Sequence, residues 1–157
     1  MQKNIKFPYI TTIVYIFNNK GEVLLQKKAR GFGAGNWNGP GGKIESGETP
    51  EEGAKREVEE ETGLIVDSLE TAGEIEFIFE HNYDWNNYTH VFRALSWSGT
   101  PEDKGEGELK WFKIDEIPLD KMWDDDRYWL PDVLKGGNVR KRFYFDENSK
   151  VKKQIDL

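Results

Sequence analysis

The chain has 157 residues, enough for one domain with a proper core. Its formal charge of −7 excludes a nucleic-acid polymer or an anionic membrane as the expected partner, because both require a basic surface, but it allows a small polyanion where bound metal reverses the local sign. The absence of cysteine excludes a disulfide framework, a thiol nucleophile and a zinc–thiolate site.

At the N-terminus, MQKNIKFPYI has neither the apolar core nor the cleavage site of a signal peptide. Tyr9–Phe17 and Glu22–Lys27 are β-branched or apolar runs joined by Asn18–Gly21, which predicts a hairpin. The first of them is the longest β-like apolar stretch, and it is too short to span a bilayer. A soluble, cytoplasmic, monomeric protein is expected. Arg30–Gly42 is glycine-rich without helical period and reads as a loop with one short strand. Thr49 is the expected N-cap of a helix, with Pro50 at its first position and two glutamates in its first turn. Ala54 and Val58 supply the apolar stripe, and Gly63 the stop.

Strands are expected at Leu69–Glu80 and Tyr88–Trp97, separated by a polar turn at His81–Asn87. A loop over Ser98–Glu108 leads to a further strand at Leu109–Ile114. Asp126–Lys135 reads as a helix despite Pro131, closed by Gly136 and Gly137. Arg140–Phe145 and Lys150–Ile155 form a second hairpin, whose basic residues are expected on exposed faces. With no linker or repeat, mixed strands and two separated helices predict one α+β domain, layered α/β/α.

Two segments carry chemistry. Glu57, Glu60 and Glu61 are spaced i, i+3, i+4, so their carboxylates share one helical face. Like charges so placed repel by roughly 0.2–0.5 kcal/mol per pair, which a positive group must offset. Three oxygen donors at this spacing suit a hard divalent ion, Mg²⁺ or Mn²⁺, which also takes phosphate oxygens. The second segment is Trp123–Trp129, WDDDRYW. An aromatic plane beside adjacent carboxyls suits a purine, the ring stacking while the carboxyls meet its edge. Two close carboxyls hold one proton between them and so present both a donor and an acceptor. The competing reading is a helix N-terminus, where aspartate is common.

The run Gly42, five residues, Glu48, seven residues, Arg56-Glu57-Val58-x-Glu60-Glu61-x-Gly63-Leu64 resembles the Nudix box, with no position out of pattern from 42 to 64. A solvated acidic helix would explain neither the two glycines nor Arg56. RGFGAGNWNGPGGK before the box, GEIEFIF after it and KMWDDDRYWLP near the end extend the resemblance. They are similar to the Nudix hydrolases that act on oxidised purine nucleotides. The resemblance implies a single Nudix domain over residues 1–157, with a mixed sheet between helices. It also implies a small-molecule nucleotide substrate and Mg²⁺-dependent attack of water on a pyrophosphate phosphorus. The expected reaction converts an oxidised purine nucleoside triphosphate to monophosphate and pyrophosphate, which cleanses the nucleotide pool.

Residue by residue, the resemblance implies that Glu57, Glu60 and Glu61 hold the metal, with the Gly41 carbonyl as a further ligand. Arg56 would pair with Glu48 and orient it. For the general base Glu61 is the first choice. Glu106, in the loop EDKGEGE, is the second and also a candidate ligand, against a reading as a solvated loop charge. Lys28 and Lys43 would help neutralise phosphate, against a reading as surface charge. Trp123 would stack on the base while Asp125 and Asp126 bind its edge and Asn38 reaches its opposite side. Thr12, Phe32, Phe77, Phe79, Trp129 and Phe145 match pocket or near-pocket positions, against a reading of each as a core residue. Where the resembling proteins have a methionine in the pocket wall, this chain has Asn87, with Trp85 and Tyr88 nearby to refill the space. Two alternatives stay open. One is a Nudix hydrolase for a dinucleoside polyphosphate, ADP-ribose or an ordinary dNTP. The other is a non-catalytic nucleotide-binding Nudix module.

Overall fold

Alternating burial along the first strand, β1 (Tyr9–Phe17), sets the layering of the molecule, described here for residues 4–157 of a computed structural model. Ile13 and Tyr15 enter one apolar core while Val14 and Ile16 enter another, as a period of two requires. Helix α1 (Pro50–Thr62) adds Ala54 and Val58 to the second core. Helix α2 (Asp126–Leu134) adds Trp129, Leu130, Val133 and Leu134 to the first. The sheet therefore lies between two helices.

Near its turn β1 pairs antiparallel with β2 (Glu22–Lys28), through Ile16 with Leu24 and Phe17 with Val23. Beyond that the two strands part. β1 takes β4 (Gly41–Lys43) as its partner, and β2 takes β3 (Trp37–Asn38). β7 (Gly107–Lys113) runs along the whole of β2. On its other side β1 pairs in parallel with β6 (Asn87–Ser98), which pairs with β5 (Ile65–Phe79). β8 (Val139–Phe145) and β9 (Val151–Asp156) complete the order β3-β2-β1-β6-β5-β8-β9. The divergence of β1 from β2 leaves a cleft between them, and the functional residues collect there.

The helices start and stop for local reasons. Thr49 accepts a bond from the Glu52 amide at 3.1 Å while the Glu52 carboxyl takes the Thr49 amide at 3.3 Å, a complete capping box. Gly63 ends α1 at φ 78°, in the left-handed region. Three elements differ from expectation. The glycine-rich loop holds two short strands, β3 and β4, rather than one. β5 begins at Ile65, four residues before Leu69, because register shifts around Ser68 and Gly73 break its alternation. The turn before β6 contains a 3-10 turn, Tyr83–Trp85. No helix among the described residues is long and apolar enough to cross a membrane.

Arg93 on β6 ties the C-terminal end of α2 to the sheet. It donates to the carbonyls of Val133 (3.1 Å) and Gly137 (2.5 Å) and to Glu70 on β5 at 2.5 and 3.0 Å, while itself only 5% exposed. Arg93→Met leaves these acceptors without a charged donor, and a loss on the order of 3 kcal/mol is expected. Urea unfolding of the variant should show a clearly lower midpoint with an unchanged slope; equal midpoints would mean the network contributes nothing net.

Candidate functional site

The acidic end of the cleft is built where α1 meets β4. Gly41 and Gly42 are glycines by necessity of close approach. A Cβ on Gly41 would stand 2.0 Å from the Thr12 carbonyl oxygen, and one on Gly42 2.6 Å from the carboxyl carbon of Glu57. The Gly41 amide donates to Glu61 at 3.3 Å. Glu57 and Glu61 are half-buried neighbours on one helical face, and their carboxyls interact closely enough to favour a shared proton. Burial pushes the Glu61 carboxyl up to about 8, and the neighbouring charges of Glu57 and Glu106 add to the shift. Burial also raises Glu57, against the lowering effect of Arg56.

Arg56 is the positive group that offsets the acidic repulsion. Its Nε and Nη2 clamp Glu48 at 2.7 and 3.0 Å, and its Nη1 reaches Glu57 at 2.9 Å and Glu60 at 3.1 Å. A further bond to the Lys43 carbonyl, at 3.0 Å, ties the helix to β4. Glu48 also accepts the Glu45 amide at 2.8 Å, and the Arg56 guanidinium holds its carboxyl below the usual range. Glu48 is thus an ionised bracket, poorly suited to take a proton. Glu60, 58% exposed, is turned toward Arg56. Among the described residues no three His, Asp or Glu side chains close on one point. The donor set nevertheless fits a hard divalent cation: it offers only oxygens, and a cation can displace the proton favoured by Glu57 and Glu61.

The cleft continues from Gly41 and Gly42 into a cavity of about 810 Å³. Asn38 and Lys28 line it from the β2–β3 side, and Thr12 from β1. Phe77 and Phe79 enter from β5, Phe32 from the glycine loop, and Trp123, Asp125 and Asp126 from the start of α2. All nine side chains expected to meet substrate therefore share one cavity, and Trp129, Phe145 and Lys43 line it too. Glu106 is exposed on its loop, close enough for its charge to act on Glu61. Its backbone carbonyl accepts the Ala29 amide at 3.0 Å, which ties that loop to the end of β2.

Asp125 and Asp126 are both buried, at 2% and 3% exposure. Asp125 stands at the N-cap of α2 but its side chain makes no capping bond; its Oδ2 accepts from the Trp129 indole at 2.8 Å. The helix-start reading therefore does not account for it. Oδ2 of Asp126 is buried with no partner. Burial raises both carboxyls, Asp125 to about 6, and the Asp125 charge raises Asp126 further. At neutral pH the pair holds a proton, and with it a donor and an acceptor.

Some wall residues escaped the sequence reading. Tyr9 lies under the Lys43 ammonium, 4.2 Å from the ring centre. Thr11 donates to Asn87 at 2.7 Å, and Thr89 does so at 3.2 Å, forming a polar ladder along one wall. Only the parallel pairing of Thr11 with Thr89 reveals that ladder, and no local pattern announces it. Of the two residues expected to refill the space beside Asn87, Trp85 lines the cavity. Tyr88 does not: it bonds to Glu74 and packs against Phe7 and His90.

Comparison with known proteins agrees with this geometry. The NUDIX domain model matches residues 7–133. The oxidized purine nucleoside triphosphate hydrolase of Mus musculus is 44% identical over 129 residues, covering 82% of each chain. That of Danio rerio is 47% identical over 123 residues, 78% of this chain and 76% of its own. The crystal structure of a MutT protein from Bacillus halodurans superposes with a TM-score of 0.82 at 28% identity, covering 94% of this chain and 96% of that one. The box helix, the glycine turn it packs on and the surrounding sheet are therefore those of a family, and this chain belongs to the Nudix hydrolases.

Proposed function

We infer that this chain hydrolyses oxidised purine nucleoside triphosphates, of the 8-oxo-dGTP and 2-oxo-dATP kind, to nucleoside monophosphate and pyrophosphate. One observation carries the reading: the cavity that holds the buried aspartate pair beside Trp123 extends to Gly41 and Gly42, against which the Glu61 and Glu57 carboxyls of α1 pack. The names of the mouse and zebrafish relatives support the same substrate class. Glu57, Glu60 and Glu61, with the Gly41 carbonyl and Glu106, would hold Mg²⁺, or Mn²⁺ in its place. Bound there, the ion neutralises phosphate charge and acidifies a water.

The chain's own residues do the rest. Lys28 and Lys43 line the cavity, where they would offset phosphate charge. Arg56 keeps Glu48, Glu57 and Glu60 in place. Glu61 is the first candidate for taking a proton from the attacking water. Glu106 is the second candidate for that role. At the far end Trp123 stacks on the base while Asp125 and Asp126 present one donor and one acceptor to its edge. That pair can serve an oxidised guanine or an oxidised adenine, since the proton moves to whichever oxygen the base requires. Residues 1–157 form one catalytic domain, acting as a cytoplasmic monomer.

Pyrophosphate release from 8-oxo-dGTP, 2-oxo-dATP, dGTP and ADP-ribose, each with Mg²⁺ and with a chelator, tests the proposal. The oxidised purines should show the highest kcat/KM, and the chelator should abolish all turnover. A preference for ADP-ribose would assign another Nudix substrate. No turnover of any of them with metal would reduce the chain to a nucleotide-binding module.

A further inference from the structure

The turn between β5 and β6 holds a large aromatic residue that the reaction just described does not use. Trp85 ends the 3-10 turn Tyr83–Trp85, and that turn is held by asparagines on both sides. The Asn82 side chain accepts the Asp84 amide at 3.2 Å. Asn86 is buried, accepts the Phe79 amide at 2.8 Å and donates to the Lys6 carbonyl at 3.3 Å. The backbone here is thus secured without Trp85, whose indole is 39% exposed and lines the cavity. Its ring centre lies 4.9 Å from Phe32 and 5.9 Å from Phe79, and Phe32 lies 5.0 Å from Trp123. Trp123, Phe32 and Trp85 therefore form one unbroken aromatic rim. Beside them Asn87 is drawn to Thr11 and Thr89, so the rim beyond Phe32 depends on Trp85.

We propose that Trp85 is a specificity-determining residue, the outer wall of the base site that selects a bicyclic base over a monocyclic one. The proposal rests on the reading of the cavity as a base site. The cavity runs from the Asp125–Asp126 floor to this rim. A base that hydrogen-bonds at the floor gains the Trp85 face only if it is long enough to reach it. A bicyclic purine extends further from a floor-bound edge than a monocyclic pyrimidine does, and we assign the Trp85 contact to that extra length. An aromatic contact of this kind contributes about tenfold in affinity.

The test compares Trp85→Ala, Trp85→Phe and Trp123→Ala with the parent enzyme. Steady-state kinetics use 8-oxo-dGTP, dGTP and dCTP, and calorimetry measures the affinity for 8-oxo-dGMP. Trp85→Ala should raise KM for both purines and weaken 8-oxo-dGMP by about tenfold, with kcat within about twofold and the dCTP KM unchanged. Trp85→Phe should restore most of the loss. An equal rise for dCTP, or unchanged purine KM while Trp123→Ala weakens binding, overturns the role of Trp85 and leaves the base site standing. Unchanged purine binding in Trp123→Ala as well removes the base site and the proposal together. Thermal midpoints check the fold. If alanine unsettles the turn, Trp85→Leu, which keeps apolar bulk without a flat face, should show the same loss of purine preference; retention of that preference overturns the proposal.

Discussion

Glu57→Gln is expected to lower kcat on the order of a thousandfold while the protein stays folded. The loss follows from the position of this carboxyl. It packs into the space that Gly42 leaves open, it interacts with Glu61, and with Glu48 it is one of the two carboxylates that Arg56 holds largely out of solvent. Replacing a carboxylate with an amide removes a full negative charge from the site proposed to bind the ion. A thousandfold corresponds to about 4 kcal/mol of transition-state stabilisation, the scale of several kcal/mol that such an ion supplies. The fold has little to lose, because the amide oxygen still accepts from Arg56 and burial already disfavours the charged form. With a chelator present, the thermal midpoint of the variant should equal or exceed that of the parent. Near-normal turnover would show that Glu57 is no ligand. A collapse of the fold would show that its charge is structural.

The contrast between what was legible and what was not has a physical basis. The box could be read because it is contiguous: cap, apolar stripe, acidic face and glycine stop all follow from a 3.6-residue period. Spacing on a helix places Cα atoms, however, and not the ends of long side chains. Arg56 starts about 100° round from Glu57, yet its guanidinium reaches Glu48, Glu57 and Glu60 together. The offsetting charge was therefore already in the chain, where spacing suggested only an external ion. β3 and β4 were only partly legible, since strands of two and three residues set among glycines are too short to display an alternation. β5 was read four residues short because its bulges interrupt the period of two. Tyr9, Thr11 and Thr89 escaped because strand pairing is a long-range property. Trp85 and Tyr88 looked equivalent as neighbours of Asn87, but the 3-10 turn carries Trp85 to the cavity while the pleat of β6 sends Tyr88 to Glu74, on the face opposite Asn87.

Asp125→Asn should separate base recognition from phosphate chemistry. The amide oxygen can still accept from the Trp129 indole, so the local packing survives. The pair, however, can no longer move its proton to suit the base, because the amide has a fixed donor and a fixed acceptor. The ratio of kcat/KM for 8-oxo-dGTP to that for 2-oxo-dATP should change by about 10–100-fold, the worth of one charged hydrogen bond. Dependence on Mg²⁺ should stay as in the parent. If every substrate fell by the same factor, Asp125 would not be reading the base. Stability offers an independent check with a defined sign. Burial raises the Asp125 carboxyl from 3.8 to about 6, so between those values the folded state binds more protons than the unfolded state. Stability contributed by this group is therefore present at low pH and lost as pH rises through about 6. Above that pH the parent must bury a charge that the variant does not carry. The urea midpoint of Asp125→Asn relative to the parent should therefore rise from pH 4 to pH 8. A pH-independent difference would mean that Asp125 is ionised throughout, so that no proton could pass between it and Asp126 to suit the base.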